Sequence, residues 1–170
     1  KQCGLDIFYS GNLNDRLDWE LLAKIVDAVP HATLHLVGSG ERVVDSNLRS
    51  LLTRPRVIYY GPLKEISTLE LASKMTLAIV PHTNDEYSKY MNPLKILMYK
   101  KIGLVTYSTR IEGLNESNRL LVVFADHSSF IDGILNFQEI VHNRESRANE
   151  EANNADRYVE LINRSMRTVR

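Results

Sequence analysis

Short apolar, β-rich runs alternate along this chain with segments whose apolar residues recur every three or four positions, the pattern of strands alternating with amphipathic helices in a parallel α/β sheet. Residues 5–9 read as a first strand, followed by the polar turn 10–15 and a helix bearing Leu17, Leu21, Leu22, Ile25, Val26 and Val29, which Pro30 ends. Residues 33–37 form the second strand, and Gly38-Ser39-Gly40 turns into a helix with Val43, Val44, Leu48, Leu51 and Leu52. The third strand is 56–60. After Gly61-Pro62, Ser67 with Glu70 three residues on forms a capping box that starts a helix carrying Leu69, Ala72 and Met75, and the fourth strand is 76–80.

The rhythm continues past Pro81. A polar loop over 82–91 is long for such a unit, and long loops at the carboxyl ends of parallel strands carry ligand chemistry. A helix from Asn92, strands near 104–107 and 120–124, and a helix over about 128–142 follow, giving a sheet of about six strands. The loop between the last two strands runs through Glu112, Gly113 and Glu116. Residues 143–154 are charged and poor in apolar side chains and read as a hinge or connector that is helical in part; Tyr158, Leu161, Ile162 and Met166 in the tail regain helical spacing. The expected organisation is one domain over 1–142, then a connector and C-terminal helix over 143–170. There is no solenoid-type repeat.

The stretch from Asn92 to Thr106 holds the sharpest local conflict. Asn92 is a preferred N-cap, Pro93 suits the first helical position, and Lys100 and Lys101 suit the negative helix end. Lys95 falls in the first turn, at the positive end, where an acidic residue would stabilise. An anion bound by Lys95 and the free N–H groups would resolve this, which makes the helix start a candidate phosphate site. The competing reading is a solvated surface lysine.

Composition narrows the classes. The 170 residues are 44% apolar, enough for one ordinary core, and Lys+Arg and Asp+Glu both number 21. With zero net charge and no basic block, nucleic acid is not the expected partner. Cys3 has no second cysteine for a disulfide or a metal motif, which fits a reducing, cytoplasmic setting. Apolar runs are far shorter than the ~20 residues of a membrane helix, and no signal peptide is visible. The chain opens into a strand without a start Met, as a piece of a longer protein would.

Six segments in this order resemble a known family: Tyr9-Ser10-Gly11-Asn12-Leu13, Leu34-His35-Leu36-Val37-Gly38-Ser39-Gly40, Val57-Ile58-Tyr59-Tyr60-Gly61-Pro62-Leu63, Ala78-Ile79-Val80-Pro81-His82, Asn92-Pro93-Leu94-Lys95 and Phe124-Ala125-Asp126. Together they resemble the C-terminal, donor-binding half of GT-B glycosyltransferases of the kind that builds bacterial surface polysaccharides. The resemblance implies a Rossmann-like three-layer sandwich whose N-terminal acceptor domain is absent from this chain. It also implies a donor, a UDP- or GDP-sugar, bound without a resident cofactor or metal. Gly11, Asn12 and Arg16 would face the diphosphate, Gly61, Pro62 and Leu63 the base, and His82 and Thr83 the sugar or base, while Asn92, Pro93, Leu94 and Lys95 would form the phosphate-binding helix start. Tyr90 and Met98 occupy positions where many members carry two glutamates, one toward the sugar and one on the ribose. Neither side chain accepts a hydrogen bond as a carboxylate does.

Other chemistries fit less well. His31 and His35 lie across a turn and a strand rather than on a helix face, so they read as ordinary histidines and not zinc ligands. No Asp-x-Asp triplet occurs, and Gly38-x-Gly40 lacks the rest of a dinucleotide fingerprint. Arg16 could equally pair with Asp18 or Glu20 on the surface. The expected function is the donor half of a metal-independent transferase acting on a saccharide or lipid-linked acceptor. It would be inactive alone, cytoplasmic, and in contact with the inner membrane face only through the missing half or a lipid-linked acceptor. The alternative is a degenerate, non-catalytic transferase-like domain that serves protein interaction or regulation.

Overall fold

The computed structural model describes residues 4–40, 45–83, 94–111, 114 and 118–167. Six strands, β1 (Leu5–Ser10), β2 (Ala32–Val37), β3 (Val57–Tyr59), β4 (Leu77–Val80), β5 (Thr106–Thr109) and β6 (Leu121–Phe124), form one sheet in the order β3-β2-β1-β4-β5-β6. Every neighbouring pair is parallel. The helices are α1 (Trp19–Ala28), α2 (Asp45–Leu52), α3 (Glu65–Ala72), α4 (Leu94–Lys101) and α5 (His127–Arg167). This is the expected Rossmann-like class, with its strand order reversing between β1 and β4. The chain divides into two units, Lys1–Ile134 and Leu135–Arg170. The sheet belongs to the first.

The apolar runs of β1, β2 and β4 are buried nearly throughout, as strands covered on both faces require. α1 begins at Asp18, whose Oδ1 accepts the Leu21 N–H at 2.9 Å, and it buries Leu21, Leu22, Ile25 and Val26. Beside the sheet, Phe8, Val37, Ala78 and Val80 form one core with Ala72 of α3 and Tyr99 of α4. α4 ends in a Schellman turn: Gly103, at φ 71°, donates to Lys100 O at 3.1 Å, and Leu104 donates to Tyr99 O at 2.9 Å. That turn occupies Leu104, so β5 starts at Thr106, two residues later than the apolar pattern suggests.

One expectation needs correction, and in one segment the helix is more extensive than the pattern marks. α3 starts at Glu65 with Lys64 as an N-cap that makes no side-chain cap, so the Ser67–Glu70 capping box does not form and Ser67 is inside the helix. The extended backbone of Lys64, φ −66° and ψ 153°, already ends the loop from Pro62 and starts the helix early. Residues 143–154, read as a connector, are helical within α5. They contain no Gly or Pro and are rich in Glu, Arg and Ala, whose helix propensity does not depend on an apolar face.

The ends of the first three strands are stitched backbone to backbone. Gly11 N–H donates to Val37 O at 2.9 Å, Leu13 N–H to Ser39 O at 2.8 Å, and Gly38 N–H to Gly61 O at 2.9 Å. Gly11 and Gly38 have φ of 146° and 145°, and a Cβ on Gly38 would overlap the Gly11 carbonyl. Gly38→Ala should therefore cost more than ~3 kcal/mol. Gly61→Ala, at φ 70° with nothing near its Cβ, should cost only ~1 kcal/mol. Urea unfolding of the two variants checks this, and equal losses would refute the packing argument.

Candidate functional site

Beyond the stitched strand ends lies a cavity of about 530 Å³. Its floor is backbone, from Ser10-Gly11-Asn12 after β1 and Val37-Gly38-Ser39 after β2. Pro62, Leu63, Glu65 and Thr68 line it from the start of α3, and Leu94, Lys95 and Met98 from the start of α4. It thus opens at the carboxyl ends of parallel strands beside the reversal of strand order, where such sheets bind ligands.

Tyr99 sets the position of α4. Its hydroxyl accepts the Ser10 N–H at 3.0 Å and lies 3.0 Å from Ser10 Oγ, while its ring meets Phe8 edge-on at 6.0 Å. Burial raises its pKa to about 12, so it stays a neutral hydrogen-bonding group. Lys95 lies one turn earlier on the same helix face and is thereby carried to the β1 turn. Its Nζ donates to the buried Tyr9 hydroxyl at 3.0 Å, lies 3.2 Å from His82 Nε2, and sits 4.4 Å from the Tyr9 ring centroid. A Cβ on Gly11 would come within 2.7 Å of it. While Lys95 is charged, His82 Nε2 must accept, which places the His82 proton on Nδ1.

The partners of this ammonium among the described residues are Tyr9 and His82, and none of them is a carboxylate. Burial without a counter-charge lowers its pKa to about 8. Burial and the neighbouring Tyr99 raise the Tyr9 phenol far above its usual range, so Tyr9 does not supply the missing charge either. The site is a half-buried cation that faces the cavity and pairs with no carboxylate among the described residues.

The sequence-expected residues separate into groups. Gly11, Asn12, Pro62, Leu63, Leu94, Lys95 and Met98 all line the cavity. Gly61 supports its floor through the bond to Gly38, and His82 reaches it through Lys95. Arg16 is exposed and does not line the cavity; its carbonyl accepts from Thr83 N–H at 2.9 Å. Nor does it pair with Asp18 or Glu20, which bind His127 and Lys24. Asn92, Pro93 and Tyr90 lie outside the described residues. His35 is bonded to Asp6 at 3.0 Å and Tyr60 at 2.9 Å, a satisfied core histidine.

Sequence reasoning left Ser10, Val37, Gly38, Ser39, Glu65 and Thr68 out of the site. The signal for Gly38 and Ser39 was present: Ser10 registers with Val37, so the turn after β2 must lie beside the turn after β1. Glu65 is masked in sequence by the misplaced start of α3.

Comparison with known proteins agrees with this geometry. The family model for Glycosyl transferases group 1 matches residues 4–139, and the chain belongs to that family. No curated protein matches the chain. The lipopolysaccharide outer core galactosyltransferase WaaB, in apo form, superimposes with a TM-score of 0.65 at 13% identity over 84% of this chain and 42% of its own. The Anabaena protein HepE in complex with UDP and glucose gives 0.62 at 15%, over 78% of this chain and 38% of its own. The catalytic domain of cholesterol-α-glucosyltransferase from Helicobacter pylori gives 0.62 at 18%, over 92% of this chain and 99% of that one. At these identities the likeness is one of fold, and the chain spans about two fifths of the length of WaaB and HepE. Among the described residues no helix is long and apolar enough to cross a membrane.

The lowered pKa of Lys95 has a stability consequence. Between about 8 and the ordinary 10.5 the unfolded chain binds the extra proton, so stability rises with pH across that window. Below it the full cost of the buried charge remains. Lys95→Met should stabilise the empty protein at pH 7 by about 1–3 kcal/mol, a gain that fades as pH approaches 10.5. Paired denaturant unfolding at pH 7 and 10 measures it, and a gain independent of pH would show that burial does not shift Lys95.

Proposed function

We propose that this domain binds the donor of a glycosyl transfer reaction, a nucleoside diphosphate sugar, in the cavity at the ends of β1, β2 and β3. The observation that carries the proposal is Lys95: a desolvated ammonium that no carboxylate among the described residues neutralises, beside a glycine turn whose backbone a phosphate can approach closely. The diphosphate lies against Gly11, Asn12 and Lys95 at the start of α4. The base lies toward Gly61, Pro62 and Leu63. The structures of HepE with UDP support uridine rather than guanosine as the base bound here.

In the reaction the bond between the anomeric carbon and the diphosphate oxygen breaks, and the diphosphate keeps the electron pair. Lys95 stabilises that growing charge electrostatically, without a resident metal ion. The saccharide or lipid-linked acceptor, and the group that activates it, come from an acceptor domain outside this chain, so the chain alone transfers no sugar. Met98 favours a second reading. It brings a thioether to the cavity wall where many members of the family have a carboxylate, as a non-catalytic descendant would.

Calorimetric titration separates the two. UDP or GDP should bind at a single site, and Lys95→Ala should weaken binding roughly ten- to a hundredfold, the loss of one charge-assisted contact. Because the bound diphosphate raises the Lys95 pKa from about 8, affinity should fall as pH rises above that value, with proton uptake on binding. Silence toward both nucleotides favours the non-catalytic module.

A further inference from the structure

Among the described residues, two lining side chains of the cavity can carry charge, Lys95 and Glu65. They enter from different elements. Lys95 comes from α4 and rests against the β1 turn, whereas Glu65 is the first residue of α3 and follows β3 through Gly61 and Pro62. Since β2 lies between β1 and β3, the strand ends from which these two sides of the cavity are built lie two strand spacings apart, about 10 Å.

A nucleoside diphosphate has matching asymmetry. Its diphosphate offers only acceptors, and its ribose offers two O–H donors. An ionised carboxylate accepts and cannot donate, so it repels the first part and suits the second. The other polar lining side chains are neutral and each already makes a hydrogen bond, Ser10 Oγ with Tyr99 at 3.0 Å, Thr68 Oγ1 donating to Lys64 O at 3.0 Å, and Ser39 Oγ donating to Asn12 Oδ1 at 3.5 Å, so none accepts as strongly as an ionised carboxylate. Met98 offers a thioether, a weak acceptor. Among the described residues none pairs with the Glu65 carboxylate.

Resting on the nucleotide reading above, we propose that Glu65 is the specificity residue for ribose: its carboxylate accepts hydrogen bonds from the 2′- and 3′-hydroxyls while Lys95 holds the diphosphate. The cavity is thereby directional, with its anionic ligand end at β1 and its hydroxyl-bearing end at β3. Glu65 also lies in the first turn of a helix without a side-chain cap, where a carboxylate favours the helix dipole. The test therefore needs a readout that helix stability does not move.

That readout is discrimination between ligands, measured on the full chain by calorimetric titration with UDP, 2′,3′-dideoxy-UDP and inorganic pyrophosphate. The wild type should prefer UDP over the dideoxy compound by roughly tenfold, the worth of hydrogen bonds to a charged acceptor. Glu65→Ala should abolish the preference by weakening UDP alone, and Glu65→Gln should reduce it. Pyrophosphate should bind Glu65→Ala at least as tightly as the wild type, because a like charge has been removed. An undiminished preference in Glu65→Ala, or equal weakening of all three ligands, overturns the assignment of Glu65 but leaves the Lys95 site standing. Failure of the wild type to bind either nucleotide overturns the nucleotide reading itself, and the ribose assignment with it.

Discussion

The approach of Gly38 to the Gly11 carbonyl is the contact on which the rest of the site depends. A side chain at Gly38 would force the turns after β1 and β2 apart, breaking the bonds from Gly11 to Val37 and from Leu13 to Ser39. The floor of the cavity is made of those turns. It also fixes the ledge on which the Lys95 ammonium rests, since Gly11 leaves the space that Nζ fills. Two absent side chains thus shape a polar pocket that no arrangement of larger residues could reproduce at this spacing.

Lys95 shows how a local violation is sustained by the surrounding fold. A cation at a helix start and out of water is unfavourable on two counts, the dipole and desolvation. Tyr9 and His82 soften the second with two hydrogen bonds and a ring contact but add no charge. The packing of α4 through Tyr99 supplies the stability that holds the lysine there.

Much of this is legible in the sequence, for identifiable reasons. The strands of a parallel sheet buried on both faces are continuous apolar runs, so β1, β2 and β4 stand out and the six-strand class follows. Lys95 stands out because it contradicts its own helix. What sequence hides is whatever depends on lateral neighbours. Gly38 and Ser39 matter only because β2 registers beside β1, and Glu65 only because Lys64 starts α3 early. In residues 143–154 the helix runs further than the apolar pattern marks, since a charged segment without an apolar stripe can still be helical.

The bond between Tyr99 and Ser10 has an evolutionary consequence. It ties α4 to β1 directly, at a point four residues after Lys95, rather than through the segment joining β4 to α4. A change in the length of that segment therefore need not shift the lysine. The spacing from Lys95 to Tyr99 has no such freedom, because one residue more or fewer would rotate the ammonium about 100° around the helix. The Lys95 charge is thus held in fixed phase with the sheet, whatever the length of the segment before it.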